Sequence, residues 1–162
     1  MIRLFFAALL LALPVSAQAQ TITVEKPWAR ATSPSAKAGG VFMTLTDTGV
    51  PDKLVSIATP IAEVAGLHRT VEQNGVMRML PVEGLDLAPG KPVVFAPGGY
   101  HVMLMDLKRQ LKPGDTFPIT LTFAKAAPMT VTVKVEAAGA AGPSQDMHSG
   151  HAMHGTPPAT KP

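Results

Sequence analysis

Read as a strand with its period of two, residues 98–107, GGYHVMLMDL, put His101, Met103 and Met105 on one face and Val102 and Leu104 on the other. Neighbours two apart on a strand face lie about 7 Å from each other, so an imidazole and a thioether can lean onto one ion. These donors suit a soft ion, copper and above all Cu(I), and suit zinc, magnesium or calcium poorly. The same methionines would also fill the core of a buried strand, where Met is a common gap-filler. Residue type alone leaves both readings open.

A second group repeats the combination. His68 closes a β-rich run and precedes a polar turn, residues 69–75, after which Met77 and Met79 share a face of the next run. If these two runs are hairpin partners, His68 and the two methionines meet at one end of a sheet, and His101 with Met103 completes two imidazoles and two thioethers. A solitary histidine in an apolar setting is usually a hydrogen-bonded structural residue. Two of them, each with methionine at a same-face position, point instead to a metal.

The elements that must position these side chains read as strands. Runs at residues 21–24, 41–46, 54–59, 61–68, 76–80, 93–95, 100–107, 116–123 and 129–135 are β-rich, and short segments such as Asn74-Gly75, Pro97-Gly98-Gly99 and Lys112-Pro113-Gly114-Asp115 punctuate them. Residues 33–40 read as a loop. Thr120, Thr122, Thr130 and Thr132 alternate with apolar residues, as on strands with one wet face. Seven to nine such strands without helical periodicity predict an all-β domain, an antiparallel Greek-key β-sandwich or barrel.

Composition narrows the setting. Arg3, the apolar run at residues 4–13 and the small-residue pattern Ala17-Gln18-Ala19 read as a secretory signal peptide over residues 1–19, cleaved after Ala19. Loss of Arg3 leaves 13 basic against 11 acidic residues, a net of +2, with no basic cluster longer than Lys108-Arg109. That is no footprint for nucleic acid, and no later segment is apolar enough to span a membrane. Without a single cysteine, thiol–disulfide exchange, Cys nucleophiles and a blue-copper site are excluded. Residues 20–136 must be held by an apolar core alone.

Residues 137–162 change character. They hold almost no large apolar side chain and read as a flexible, disordered tail. Yet three of the five histidines and two methionines lie among Met147, His148, His151, Met153 and His154. Such a His-rich tract is a candidate second copper site, and its nitrogen donors suit Cu(II); a merely solubilising terminus is the alternative.

Spacing carries the reading further. Ten residues separate His68 from Met79, 21 separate Met79 from His101, and one separates His101 from Met103. In this order and with these gaps the chain resembles the periplasmic PCu(A)C family of copper chaperones. The likeness extends to Pro27-Trp28-Ala29-Arg30-Ala31-Thr32, Ala38-Gly39-Gly40-Val41-Phe42-Met43, Gly75-Val76-Met77-Arg78-Met79, Pro97-Gly98-Gly99-Tyr100 and Leu111-Lys112-Pro113-Gly114-Asp115. The resemblance implies a cupredoxin-like fold and Cu(I) bound by His68, Met79, His101 and Met103 at a shallow, accessible site. It further implies delivery toward the dinuclear copper centre of cytochrome c oxidase, with oxidase subunit II and Sco-type proteins as partners.

Neutral donors leave the ion its own charge and favour Cu(I) over Cu(II), and no acid/base pair accompanies them to support an oxidase. Met77 and Met105 then read as neighbouring or core sulfurs, and Trp28 and Tyr100 as packing. A monomer is expected. The chief rival is a periplasmic copper buffer or tolerance protein that holds the ion without specific delivery. An exported β-sandwich adhesion module with incidental His and Met fits the repeated spacing poorly.

Overall fold

A computed structural model of the chain describes residues 22–144; the expected leader and the His/Met cluster of residues 147–154 lie outside them. Ten strands follow in order: β1 (Ile22–Arg30), β2 (Ala38–Asp47), β3 (Asp52–Ala58), β4 (Ala62–Gln73), β5 (Val76–Pro81), β6 (Leu85–Leu87), β7 (Val93–Phe95), β8 (Tyr100–Leu107), β9 (Thr116–Phe123) and β10 (Met129–Glu136). They form one sheet in the order β5-β4-β8-β7-β2-β1-β10-β9-β3-β6, with β8 also pairing β2. The fold is all-β, a cupredoxin-like sandwich in which this ribbon closes on itself. One core draws Leu67 from β4, near one end of the order, and Leu54 and Leu87 from β3 and β6 at the other.

The alternation that marks these strands in the sequence is the alternation that builds the core. Phe117, Ile119, Leu121 and Phe123 of β9 point inward with Val133 and Val135 of β10. Thr120 and Thr130 face out and pair through their hydroxyls at 2.9 Å. On β8, Val102 and Leu104 are fully buried in this core, which turns His101, Met103 and Met105 to the opposite face.

Several boundaries differ from the sequence reading. The polar stretch after His68 is not a turn: β4 continues to Gln73, and only Asn74 and Gly75 turn, both with positive φ (53° and 75°). Asn-Gly is the pair that a two-residue type I′ hairpin turn needs. Arg69, Thr70, Glu72 and Gln73 can remain in a strand because that hairpin stands at the sheet edge. β1 runs on through Arg30, with a bulge between Glu25 and Trp28 where Lys26 takes φ 49°. β2 starts at Ala38 inside the expected loop, because Ala38 to Val41 pair with Met105 to Val102 of β8. β6 is too short for periodicity to reveal. Two pairings, β1–β10 and β7–β8, are parallel.

The described part of the expected tail is tied down. Arg30 Nε donates to the Ala140 carbonyl at 2.8 Å, and the Ser144 hydroxyl donates to Glu136 Oε1 at 2.7 Å while accepting from Lys134 Nζ at 3.1 Å. The Ser144 hydroxyl, helped by Lys134, holds the Glu136 carboxyl below its ordinary pKa despite partial burial. Polar and backbone groups, not apolar side chains, do this anchoring, so composition gives no sign of it.

Candidate metal centre

Register sets the site. β4 and β8 run antiparallel with His68 directly opposite His101 and Gly66 opposite Met103. On the far side of β4, His68 faces Pro81 of β5 and Thr70 faces Met79. Paired residues share a sheet face, so His68, Met79, His101 and Met103 all stand on the face turned from the core. His68 is central, opposite one donor and diagonal to the other two. Met103 is flanked by Gly40 on β2 and Gly66 on β4, so neither neighbouring strand raises a side chain beside it.

The two imidazoles are held alike. His68 Nδ1 lies 3.3 Å from the Gly66 carbonyl and His101 Nδ1 lies 3.1 Å from the Gly99 carbonyl. A carbonyl can only accept, so each Nδ1 carries a proton, and in the neutral ring it is Nε2 that presents the lone pair. The rings lie 6.1 Å apart and 26° from parallel. His101 is 5% exposed, and its Nε2 is buried without a hydrogen-bond partner. A buried polar atom left so costs about 1–3 kcal/mol, which a bound ion would repay.

An aromatic row fixes His101 from the side. Trp28 and Phe42 lie 4.7 Å apart by ring centroids, and Phe42 and His101 6.5 Å. Beside this row opens a cleft of about 330 Å³ whose walls include Met79, His101, Met103, Thr70 and Arg30. His68 is outside the lining and meets the cleft through its stacked partner. Met79 is 60% exposed; it is the outermost of the four.

Arg30 was not singled out by the sequence. Its guanidinium carbon is 5.9 Å from the Phe42 ring centroid, and it brings one fixed positive charge to the cleft wall. No signal short of the β1–β2 register, which sets Trp28 against Phe42, could have placed it there. Arg69, next to His68 in sequence, is on the other face, where it pairs with Tyr100 in register and its guanidinium carbon lies 5.9 Å from that ring. Met77 is on the donors' face but exposed, so it is not a core sulfur; Met105 is partly buried opposite Ala38 and Val64. Among the described residues no three His, Cys, Asp or Glu side chains come together as a group that could hold a metal ion.

A family model described as LpqE-like lipoprotein matches residues 22–135. The chain belongs to the LpqE-like family. Among its relatives, Lxx21020 of Leifsonia xyli subsp. xyli, whose name calls it a lipoprotein, is 34% identical over 131 residues, covering 76% of this chain and 78% of its own. RP573 of Rickettsia prowazekii is 34% identical over 115 residues, 68% of this chain and 64% of its own. Solved structures of the same shape include the copper-bound PCuAC domain of PmoF2, with TM-score 0.62, 27% identity, and 72% of this chain and 92% of that one covered. Apo-DR1885 of Deinococcus radiodurans matches with TM-score 0.56 and 30% identity over 85% of this chain and 95% of its own. Its Cu(I) form matches with TM-score 0.53 and 32% identity over 78% and 81%. Among the described residues of this LpqE-like chain no helix is long and apolar enough to cross a membrane.

Proposed function

We propose that this chain is a periplasmic copper chaperone that binds Cu(I) through His68, Met79, His101 and Met103 and passes it toward the dinuclear copper centre of cytochrome c oxidase. The observation that carries the reading is the orphaned Nε2 of His101, buried beside the cleft that Met79 and Met103 line. The PCuAC likeness, with a copper-bound and a Cu(I) neighbour, supports the cargo. The leader-like residues 1–19 and the lipoprotein name of a relative support export.

The donor set supports exchange as well as holding. Thioethers bind and release without gaining or losing a proton, so an acceptor's ligands can replace them one by one from the exposed Met79 inward. Four neutral donors add no negative charge, and Arg30 adds a positive one, which opposes a 2+ ion twice as strongly as a 1+ ion. Both effects favour Cu(I).

Residues 147–154 are proposed as a second, Cu(II)-collecting segment. Residue 144 is anchored to β10, so the segment is tethered to the domain and raises the local copper concentration. Its deletion should lower copper stoichiometry while main-site Cu(I) affinity holds; unchanged stoichiometry would remove the idea.

Delivery is tested in cells lacking the protein. A chaperone restores oxidase activity when copper is scarce, and a His101→Phe variant does not. If the protein matters only in copper excess, it is a buffer.

A further inference from the structure

Met77 is unexplained by packing or by the four-donor site. It is 59% exposed, although a Met in a strand ordinarily fills a core. Its place is set by register: β5 pairs Met77 with Glu72, Met79 with Thr70 and Pro81 with His68. Met77 is therefore on the donors' face, one step of about 7 Å beyond Met79, toward the Asn74-Gly75 turn. From His101, 5% exposed, the register leads toward the turn to Met79 and then Met77, which are 60% and 59% exposed, while Met103 lies on the other side of His101. β5 ends the strand order, so its outer side is open to an incoming molecule. Glu72, opposite Met77, forms no ion pair with any described residue and adds a negative charge where a cation would pause.

We propose that Met77 and Met79 form a transient two-thioether station through which Cu(I) loads into and leaves the inner site, an inference that rests on the copper reading above. In loading, a Cu(I)–sulfur bond to Met77 forms as a bond to the donor molecule breaks. Met79 then takes the ion while His68, His101 and Met103 close on it, and the Met77 bond is released. Release reverses these steps. The ion stays Cu(I) throughout, and no proton or electron moves.

A station of this kind changes rates and leaves the end states alone. Stopped-flow loading and release should be followed anaerobically on the mature protein with a chromogenic Cu(I) chelator, for wild type, Met77→Leu and Met77→Ala. Leucine keeps the apolar bulk and lacks only the sulfur. Both variants should load and release about fivefold more slowly, with the ratio of the two rates within about twofold of wild type. Rates equal to wild type in Met77→Leu would overturn the station, whether or not Met77→Ala is slow, because apolar contact would then suffice. A tenfold loss of Cu(I) affinity in Met77→Leu would also overturn it, by making Met77 a resident ligand. Failure of the underlying copper site looks different: Met79→Ala with Met103→Ala would then keep wild-type affinity.

Discussion

His68 and His101 face each other across β4 and β8, and each donates its Nδ1–H to the carbonyl of the glycine two residues before it. The equivalence fixes both tautomers before any ion arrives. Two Nε2 lone pairs are thus preset on one sheet face, and little ordering is left for binding to do. Preset donors of this kind are what make metal affinity depend on backbone partners as well as on ligands.

The orphaned Nε2 of His101 is a cost to the free protein. His101→Phe keeps a ring in the row with Trp28 and Phe42 and removes the buried nitrogen. The free variant should resist urea at least as well as wild type, by up to about 1 kcal/mol. Its Cu(I) affinity should fall by about 100-fold or more, beyond the usual effect of losing a ligand's supporting partner. A clearly less stable free variant would show that Nε2 has a partner before copper binds.

The charge of Arg30 discriminates by ion charge. Arg30→Met keeps the stem against Phe42 and removes the guanidinium. Cu(I) affinity should rise about threefold and Cu(II) affinity about tenfold, the square of the first factor, as Coulomb's law requires for charges of one and two. Arg30→Lys should behave as wild type. Equal changes for both ions would mean that Arg30 acts through packing or its bond to Ala140.

Asp52 makes the fold sensitive to acid. Its buried carboxylate accepts from the amides of Lys53 at 2.7 Å and of Lys125 and Ala126 at 2.9 Å. Burial alone would raise its pKa, but these amides and the Lys125 ammonium outweigh it and hold the value below the ordinary 3.8. A depressed folded-state value means that the stabilisation is complete above about pH 4 and is lost as pH falls through that value. Asp52→Asn should destabilise the protein by about 1–3 kcal/mol at pH 7. Between pH 5 and pH 3 the variant should lose less stability than wild type in urea titrations; an unchanged slope would contradict this account.

The spacing of His68, Met79, His101 and Met103 was legible because strand period and hairpin pairing put same-parity residues on one face. So was the all-β architecture, through alternation such as that in β9. What escaped depends on contacts distant in sequence. The Gly66 and Gly99 carbonyls that set the tautomers, the turning of Arg69 onto Tyr100, and Arg30 on the cleft wall all follow from backbone path or register. Residues 137–144 looked free because apolar content was the only visible measure of order. Their anchors are Arg30, Lys134 and Glu136, whose meeting with Ala140 and Ser144 requires the folded β1–β10 pair.

Binding of Cu(I) by the four side chains is decided by a competitive titration against a chromogenic Cu(I) chelator, without oxygen, of wild type beside Met79→Ala with Met103→Ala. Wild type should take up one high-affinity equivalent, and the double variant should lose about 100-fold or more in affinity for it. If both proteins hold Cu(I) alike, the ion is not bound on the face of β4, β5 and β8, and the four-donor site is wrong.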